Sequence, residues 1–417
     1  MEKKWSVLLG LLVFVLLPTI QGVAFEKGDI KIGHVAGLTG PASVQRHYFD
    51  GRRDMIEYVN QRGGIRGHKI VDYWMDTKYQ LPPEISAYKR FVQQGIVIFL
   101  STTTGGSEQL KVIARGYKVP SFFIVNSVGA RHPPGWHFPV YPTYGDCTAG
   151  AFDWILENMW KKSKPPKVAV ICADTAYSRG PEEALPYLKS KGIELVYKAY
   201  VPMNAIDVTA QLTLAHKAGA DFIINNPLME IKALLRDLKR LGLDKKGMKV
   251  VCPWVTAIAS IFPNICKEAT GTIIGTWQGM VPDFEGKMGL GYIDQGWKDL
   301  VKSKYGKLRD TGMYWHMGPP EIAMIAEAIG KAIDKVGYDK LNGEAVYYQL
   351  ERLELESEKM FNFMPDIKNV PGKRGMSDKA IIAVSNLNND GLWGPVTGWY
   401  KMPNLLEWKR EHPEYYK

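Results

Sequence analysis

Short apolar segments rich in β-branched and aromatic residues alternate with helical patterns along most of the chain. A strand pattern at 30–36, IKIGHVA, is followed by a helical pattern that places Met55, Ile56 and Val59 on one face. The same order recurs about every 25 to 30 residues, which is typical of parallel βαβ units. The sequence therefore predicts an α/β fold in which helices cover parallel sheets.

This series of strands and helices pauses near 141–146, YPTYGD, and then begins again. A chain of 417 residues is too long for one ordinary core, so two domains are expected. The two series do not match each other residue by residue, and we interpret them as two α/β lobes rather than tandem repeats. No low-complexity linker separates them, which predicts that short segments cross between the lobes.

The first residues are predicted to be a secretory signal peptide. A basic start, MEKKW, precedes the apolar run SVLLGLLVFVLL, and small residues follow at Gly22 and Ala24. The run has about 12 residues, which is short of the ~20 that span a bilayer, although an uncleaved anchor stays open as the alternative. We predict that 1–24 is removed by cleavage near Ala24 and that the mature protein is exported to the periplasm.

Composition argues against several classes of partner and reaction. The net charge of +10 is spread along the chain without a dense basic run, so no nucleic acid partner is expected. The motifs GxSxG, HExxH and GxxxxGK(S/T) are absent, which disfavours common hydrolases, metalloproteases and P-loop enzymes. We expect no catalytic residues, no metal and no cofactor, and an exported α/β enzyme is kept as an alternative.

The chain has four cysteines, at Cys147, Cys172, Cys252 and Cys266. Their spacing fits neither a zinc site nor a CxxC redox site. In an oxidising compartment Cys252 and Cys266 could form a disulfide, and two unpaired buried thiols are the other interpretation.

Glycines punctuate the segment 58–70, YVNQRGGIRGHKI, between a helical pattern and a strand pattern. Gly63 or Gly64 is expected to end the helix in the left-handed conformation, and Gly67 then allows a tight turn into the strand. These mechanics predict a helix stop, a turn and a strand, and they indicate nothing about a ligand.

Together with other segments, this stretch resembles the periplasmic solute-binding proteins of branched-chain amino acid ABC transporters, which have the leucine-binding-protein-like type I periplasmic binding fold. The resemblance covers roughly 30 to 353, and it rests on the number of matches that occur in the family's order. The matching segments are IKIGHVAGLTGPAS, YVNQRGGIRGHKI, KVPSFFIVNS, KVAVICADTAYSRG, YVPMNAIDVTAQLTLAHKAGADFIINN, LLRDLKRLGL and GTWQG.

This resemblance implies two Rossmann-like lobes around a central ligand cleft, joined by three crossover segments. It assigns 27–144 plus 277–355 to the first lobe and 145–276 plus 356–417 to the second, with the place of the C-terminal hairpin left open. It also implies a monomeric extracytoplasmic receptor that captures a small molecule by hinge closure and docks on the permease of an ABC importer. A ligand-sensing receptor ectodomain, which uses the same clamshell, is the alternative.

Loops at the carboxyl ends of the predicted strands supply the candidate ligand contacts, because open α/β sheets hold ligands at that edge. In the loop STTTGGSEQL the first N–H groups of a helix also favour an anion, although its Ser and Thr are equally explained as helix caps. By similarity to the family and by strand-end position, the predicted ligand-binding residues are Gln45, Thr102, Thr103, Asn126, Ser127, Tyr177, Asn226, Trp254 and Tyr314.

One departure from the family bears on the ligand. Members that bind amino acids place a carboxylate after the strand that here reads MKVVCPWVTA, and this chain has Trp254, Val255 and Thr256 instead. An unpaired buried ammonium is costly, so we predict a carboxylate ligand without an α-amino group, with an aromatic or aliphatic body. Asp174 could replace the missing acid, and a branched-chain or other amino acid therefore stays open as the ligand.

Overall fold

Two β-sheets organise the computed structural model of the protein. The structure describes residues 28–40, 42–123, 127–254, 269, 271–277, 299–300, 302–304, 315, 317–360, 364–385 and 393–416. Within these ranges no helix is both long and apolar enough to cross a membrane, and the predicted signal peptide lies outside them.

Strands and helices alternate along most of the described chain, as the sequence pattern predicts. The strands are β1 Ile30–Ala36, β2 Ile70–Asp76, β3 Ile98–Leu100, β4 Ser121–Phe123, β5 His137–Pro139, β6 Lys167–Ala173, β7 Glu194–Val201, β8 Phe222–Ile224, β9 Lys249–Cys252, β10 Ile273–Trp277, β11 Glu354–Leu355, β12 Ile367–Lys368, β13 Lys379–Ser385, β14 Trp393–Pro395 and β15 Tyr400–Lys401. The helices are α1 Gln45–Gln61, α2 Leu81–Gln93, α3 Thr104–Tyr117, α4 Val128–Arg131, α5 Tyr144–Asn158, α6 Ala176–Arg179, α7 Leu185–Ser190, α8 Thr209–Lys217, α9 Ile231–Arg240, α10 Gly318–Val336, α11 Gly343–Leu350 and α12 Leu405–Glu411.

The first sheet is parallel throughout and has the strand order β2-β1-β3-β4-β5. On one face Ile32 and Leu100 pack with α1 and α10 in a core that includes Ile325. On the other face Phe99 packs with α2 and α3, for example against Leu110. Each helix thus covers apolar strand residues that would otherwise face water.

The second sheet has the order β14-β13-β10-β9-β8-β6-β7, and β15 pairs with β13. Strands β6 to β10 are parallel where they pair, whereas β13 runs antiparallel to both β10 and β14. The C-terminal hairpin pattern therefore forms an extension of this sheet. Helices α8 and α9 cover one face, and α5 and α7 cover the other.

Along the elements that the structure describes, the chain changes from one sheet to the other three times, which confirms the predicted two-lobed α/β architecture. The first passage is 140–143, the second lies between β10 and α10, and the third is 369–378. The segment before the third passage, which the prediction gave to the second lobe, packs on the first: Met360 and Met364 join the core beside α10. Met376 N also donates a hydrogen bond to Val140 O at 3.0 Å.

The glycines after α1 have the role that their spacing predicts. Gly63 and Gly64 have φ values of 99° and 72°, and Gly64 N donates back to Val59 O at 2.9 Å. A Cβ at Gly64 would lie 2.1 Å from the carbonyl oxygen of His68, so only glycine fits this turn. The turn ends α1 and starts β2, and it lies outside the candidate site.

Candidate functional site

The strand-end loops of the first lobe are tied together by a buried glutamine. Gln45 Oε1 accepts a hydrogen bond from Gly37 N at 2.7 Å, and its Nε2 donates to Thr102 O at 3.2 Å. The side chain therefore bridges the loops that follow β1 and β3. Gln45 was predicted as a ligand contact, and the structure places it at the site with both ends of its amide used within the lobe.

The buried guanidinium group of Arg52 forms hydrogen bonds at the strand ends that precede these loops. Arg52 is fully buried on α1, where it pairs with Glu321 of α10. It also donates to Val35 O at 3.1 Å and to Ser101 O at 2.8 Å, the carbonyls where β1 and β3 end. One side chain thereby satisfies carbonyl groups at both strand ends and joins them to the helix that covers the sheet.

Another buried carboxylate, which the sequence analysis did not identify, occupies the loop after β3. Glu84 of α2 accepts hydrogen bonds from Ser101 Oγ, from Thr102 N at 3.2 Å and from Thr103 Oγ1 at 2.6 Å. Its burial raises the pKa of the carboxyl group. A Cβ at Gly106 would lie 2.4 Å from this group, so a larger residue there would displace the Glu84 carboxylate. The donors predicted to hold the ligand's carboxylate therefore already hold one from the protein.

The candidate hydroxyls of the first lobe differ in what they contact. Thr103 caps α3 by accepting from Gly106 N at 2.9 Å, and Ser127 caps α4 by accepting from Ala130 N at 3.1 Å. Ser127 also donates to Glu108 at 2.7 Å. Helix capping thus accounts for both residues. By contrast, Thr102 Oγ1 is shielded from solvent and has no hydrogen-bond partner within the described part of the chain.

In the second lobe, the structure brings together three predicted residues at the ends of β6, β8 and β9. Asn226 is fully buried, and its Nδ2 donates to the carbonyl oxygen of Tyr177 at 2.7 Å. This bond fixes the short helix α6 that carries Tyr177. Trp254, two residues after β9, is 2% exposed.

Two tyrosines, one in the first passage between the lobes and one at the start of α5, complete an aromatic cluster. Tyr144 meets Tyr177 edge-on at 5.3 Å between ring centroids and Trp254 at 6.5 Å, while Tyr141 meets Trp254 at 5.7 Å. Neither tyrosine was predicted as a site residue from the sequence. They lie in the stretch YPTYGD, where the strand–helix pattern pauses, and this pause is the sequence feature that could have indicated them. We call Tyr141, Tyr144, Tyr177 and Trp254 the aromatic cluster.

The lobes touch each other beside this cluster. The hydroxyl groups of Tyr144 on α5 and Thr104 on α3 are 3.0 Å apart, within hydrogen-bonding distance. Nearby, Val128 N on α4 donates to Glu183 of the second lobe at 2.9 Å. The two lobes are therefore in direct contact here, and the aromatic cluster packs in one buried core with first-lobe residues such as Tyr48.

Comparison with known proteins decides the family. A family model described as periplasmic binding protein matches residues 29–384 of the chain. The chain belongs to the periplasmic binding protein family. The resemblance stated from the sequence is thus confirmed.

Relatives of this periplasmic binding protein include transport proteins with different ligands. Leu/Ile/Val-binding protein homolog 3 of Brucella melitensis is 29% identical over 214 residues, which are 49% of this chain and 56% of that protein's length. A branched chain amino acid ABC transporter from Thermus thermophilus with bound valine has a TM-score of 0.75 at 19% identity, covering 93% of this chain and 99% of the other. A solute binding protein of an ABC transporter from Rhodopseudomonas palustris HaA2, in complex with p-hydroxybenzoic acid, has a TM-score of 0.71 at 16% identity, covering 90% and 98%. At these identities the two structures show a shared fold.

The acid that could replace the family's missing carboxylate is Asp174, which lies directly after β6. Asp174 is mostly exposed and forms an ion pair with Arg179, which is itself exposed. It therefore has a cationic partner at the surface. Asn126, Tyr314, Val255 and Thr256 lie outside the described residues.

Cys252, for which the sequence left a disulfide with Cys266 and an unpaired thiol open, is unpaired in this structure. Cys252 is a free cysteine, fully buried at the end of β9, and packs in the core beneath α8 and α9. Burial raises the pKa of its thiol well above the ordinary value, which makes the thiolate scarce. Cys266 lies outside the described residues. Within the described ranges, no group of three His, Cys, Asp or Glu residues could hold a metal ion.

Proposed function

We propose that this periplasmic binding protein is the extracytoplasmic receptor of an ABC importer. It captures a small organic acid between its lobes and presents the closed form to a membrane permease, as a monomer in the periplasm. The observation that carries this proposal is the aromatic cluster, which stands where the strand ends of the two sheets face each other and where open α/β sheets bind ligands.

The ligand class follows from the charges around the cluster. Glu84 is held by the loop after β3, Glu183 by Val128, and Asp174 by Arg179. None of these three carboxylates is placed to pair with a ligand's ammonium group, and an unpaired ammonium would be costly to bury. We therefore infer a carboxylate ligand without an α-amino group.

The aromatic cluster would contact the apolar part of the ligand, and polar groups beside the cluster would bind its carboxylate. Tyr177 and Trp254 offer faces and edges to an aromatic or aliphatic body. The Thr102 hydroxyl is a donor that no described residue uses, and Asn226 provides a buried amide. The p-hydroxybenzoic acid bound by the Rhodopseudomonas relative supports this class, and the valine bound by the Thermus relative supports the alternative of an amino acid.

Isothermal titration calorimetry on the mature chain tests the proposal. We expect 4-hydroxybenzoate, benzoate or a short aliphatic acid to bind in the micromolar range or tighter, with leucine and valine binding at least about a hundredfold more weakly, a difference of about 2.7 kcal/mol. Tight binding of leucine or valine would instead establish the amino acid alternative. Heat release that continues after the binding site is saturated, together with accumulating product, would show turnover and establish the enzyme alternative.

A further inference from the structure

Glu183 connects the two lobes in a way that the ligand contacts do not explain. It lies in the turn 180–184 of the second lobe, directly after α6, and its Oε1 accepts the hydrogen bond from Val128 N of the first lobe at 2.9 Å. The partner is a backbone group on the other lobe, so this bond exists only while the lobes are together. Its other oxygen, Oε2, is shielded from solvent and has no hydrogen-bond partner within the described residues.

The charged groups that face Glu183 do not neutralise it. Glu108 of α3 and Asp146 of α5 are acids, and the C-terminal Tyr416 carries no positive charge. Among the described residues, Arg131 of α4 is bound to Asp146 at 3.3 Å and to a backbone carbonyl, and Nζ of Lys409 lies 4.5 Å from the ring centroid of Tyr416.

The helices on either side of the turn supply no free cation to this carboxyl group either. Arg179 on α6 is paired with Asp174, and Lys189 on α7 lines a groove on the outer side of that helix. The C-terminal segment covers the same region from outside, since Leu405 N donates to Asp146 at 2.8 Å. The carboxyl group therefore has acids beside it, and the donors that contact it are the backbone N–H groups of Val128 and Gly145.

An enclosed carboxylate without a cation is costly, and the neutral acid avoids that cost. Burial raises the pKa of Glu183 to about 8. The neighbouring Asp146 and Glu108 act in the same direction, and the backbone N–H groups of Val128 and Gly145 act in the opposite one. When the lobes separate, the group meets water and is expected to titrate near the ordinary value of about 4.3. The closed form thus holds a proton that the open form releases over the intervening pH range.

We propose that Glu183 is an inter-lobe latch that takes up one proton on closure, so that ligand capture is tighter in acid than in alkali. This inference rests on the proposed closure of the lobes around a ligand. The sign follows from linkage: between the open-form and closed-form pKa values closure binds a proton, so each rise of one pH unit weakens capture by up to about tenfold.

Three variants distinguish the effect of the Glu183–Val128 bond from the effect of removing any negative charge in this turn. E183Q keeps an oxygen for Val128 N and cannot ionise. V128P removes the donor at the first position of a helix, where proline is tolerated, and Ser127 before it already has an extended backbone (φ −109°, ψ 162°). E182Q is the matched control, because Glu182 lies in the same turn but binds Lys198 and Tyr200 of its own lobe.

The first experiment is calorimetric titration of 4-hydroxybenzoate from about pH 5.5 to about pH 8. Wild type and E182Q should lose affinity by about a hundredfold over this range, whereas E183Q should hold a constant affinity. Equal slopes in wild type and E183Q would overturn the proposal.

If 4-hydroxybenzoate does not bind, the proposed ligand class fails, and the latch is tested without any ligand. Small-angle X-ray scattering should show the radius of gyration of wild type and E182Q rising with pH through the same range, and that of E183Q staying constant. V128P should be expanded at every pH. A radius that responds to pH identically in wild type and E183Q, or a V128P chain as compact as wild type, would overturn the latch.

Discussion

Removal of the guanidinium of Arg52 is the most informative perturbation of the site's scaffold. In R52M the methionine fills much of the arginine's volume but supplies no donor. Glu321 then loses its buried cation, and the carbonyl groups of Val35 and Ser101 lose the donor that joins the ends of β1 and β3.

The expected loss of stability follows from these contacts. Stranding one partner of a buried ion pair costs about 3 to 5 kcal/mol. Each lost hydrogen bond to a carbonyl group adds about 0.5 to 1.5 kcal/mol. R52M should therefore lower the free energy of unfolding by about 4 to 8 kcal/mol. In the double variant R52M/E321Q the stranded charge is gone, while the neutral amide still accepts from Tyr48, so about 2 to 4 kcal/mol should return.

Urea unfolding followed by circular dichroism measures these differences. The R52M defect should also shrink as the pH falls from about 8 to about 5, because the unpaired Glu321 has a raised pKa in the folded state and its cost disappears once it is protonated. R52M within about 1 kcal/mol of wild type, or a double variant no more stable than the single one, would refute the support assigned to Arg52.

Further predictions concern the loop after β3, the core thiol and the cleft. T103A should lose about 1 to 2 kcal/mol of stability in urea unfolding, since Thr103 both caps α3 and donates to Glu84; an unchanged midpoint would contradict this. Cys252 should react with a thiol reagent only after denaturation, and a native disulfide in non-reducing peptide maps would contradict its free state. W254A should weaken 4-hydroxybenzoate binding by about tenfold or more, whereas W74A, which alters a 47% exposed tryptophan, should not. D174N should leave that affinity unchanged.

The alternation of strands and helices was sufficient to predict the fold, because each pattern has a local cause. Ile30 and Ile32 recur at strand spacing and pack in the core beside α1 and α10, and Gly64 occupies a position that only glycine can adopt. The C-terminal part was harder to place. The segment before β13 packs on the first lobe through Met360 and Met364, and flexible methionines carry no periodicity that would indicate which lobe they join.

The candidate site was predicted only in part, for a similar reason. Tyr177, Asn226 and Trp254 follow strands directly, so their position in the sequence predicts their place at the sheet edge. Glu84 stands in the first turn of α2, where an acid is adequately explained by the helix dipole, and its bonds to the loop after β3 are long-range. Tyr144 and Glu183 act between lobes, and no local pattern encodes a contact between lobes.

The central claim is that two lobes close on a small acid, and a distance measurement tests it most directly. Spin labels at V112C on α3 and I206C in the second lobe would be attached where the native side chains are 71% and 84% exposed. Pulsed electron paramagnetic resonance should then give a long, broad distribution of distances for the free protein and a shorter, narrow one with saturating 4-hydroxybenzoate. The same distribution with and without that acid, while calorimetry reports that it is bound, would contradict the account.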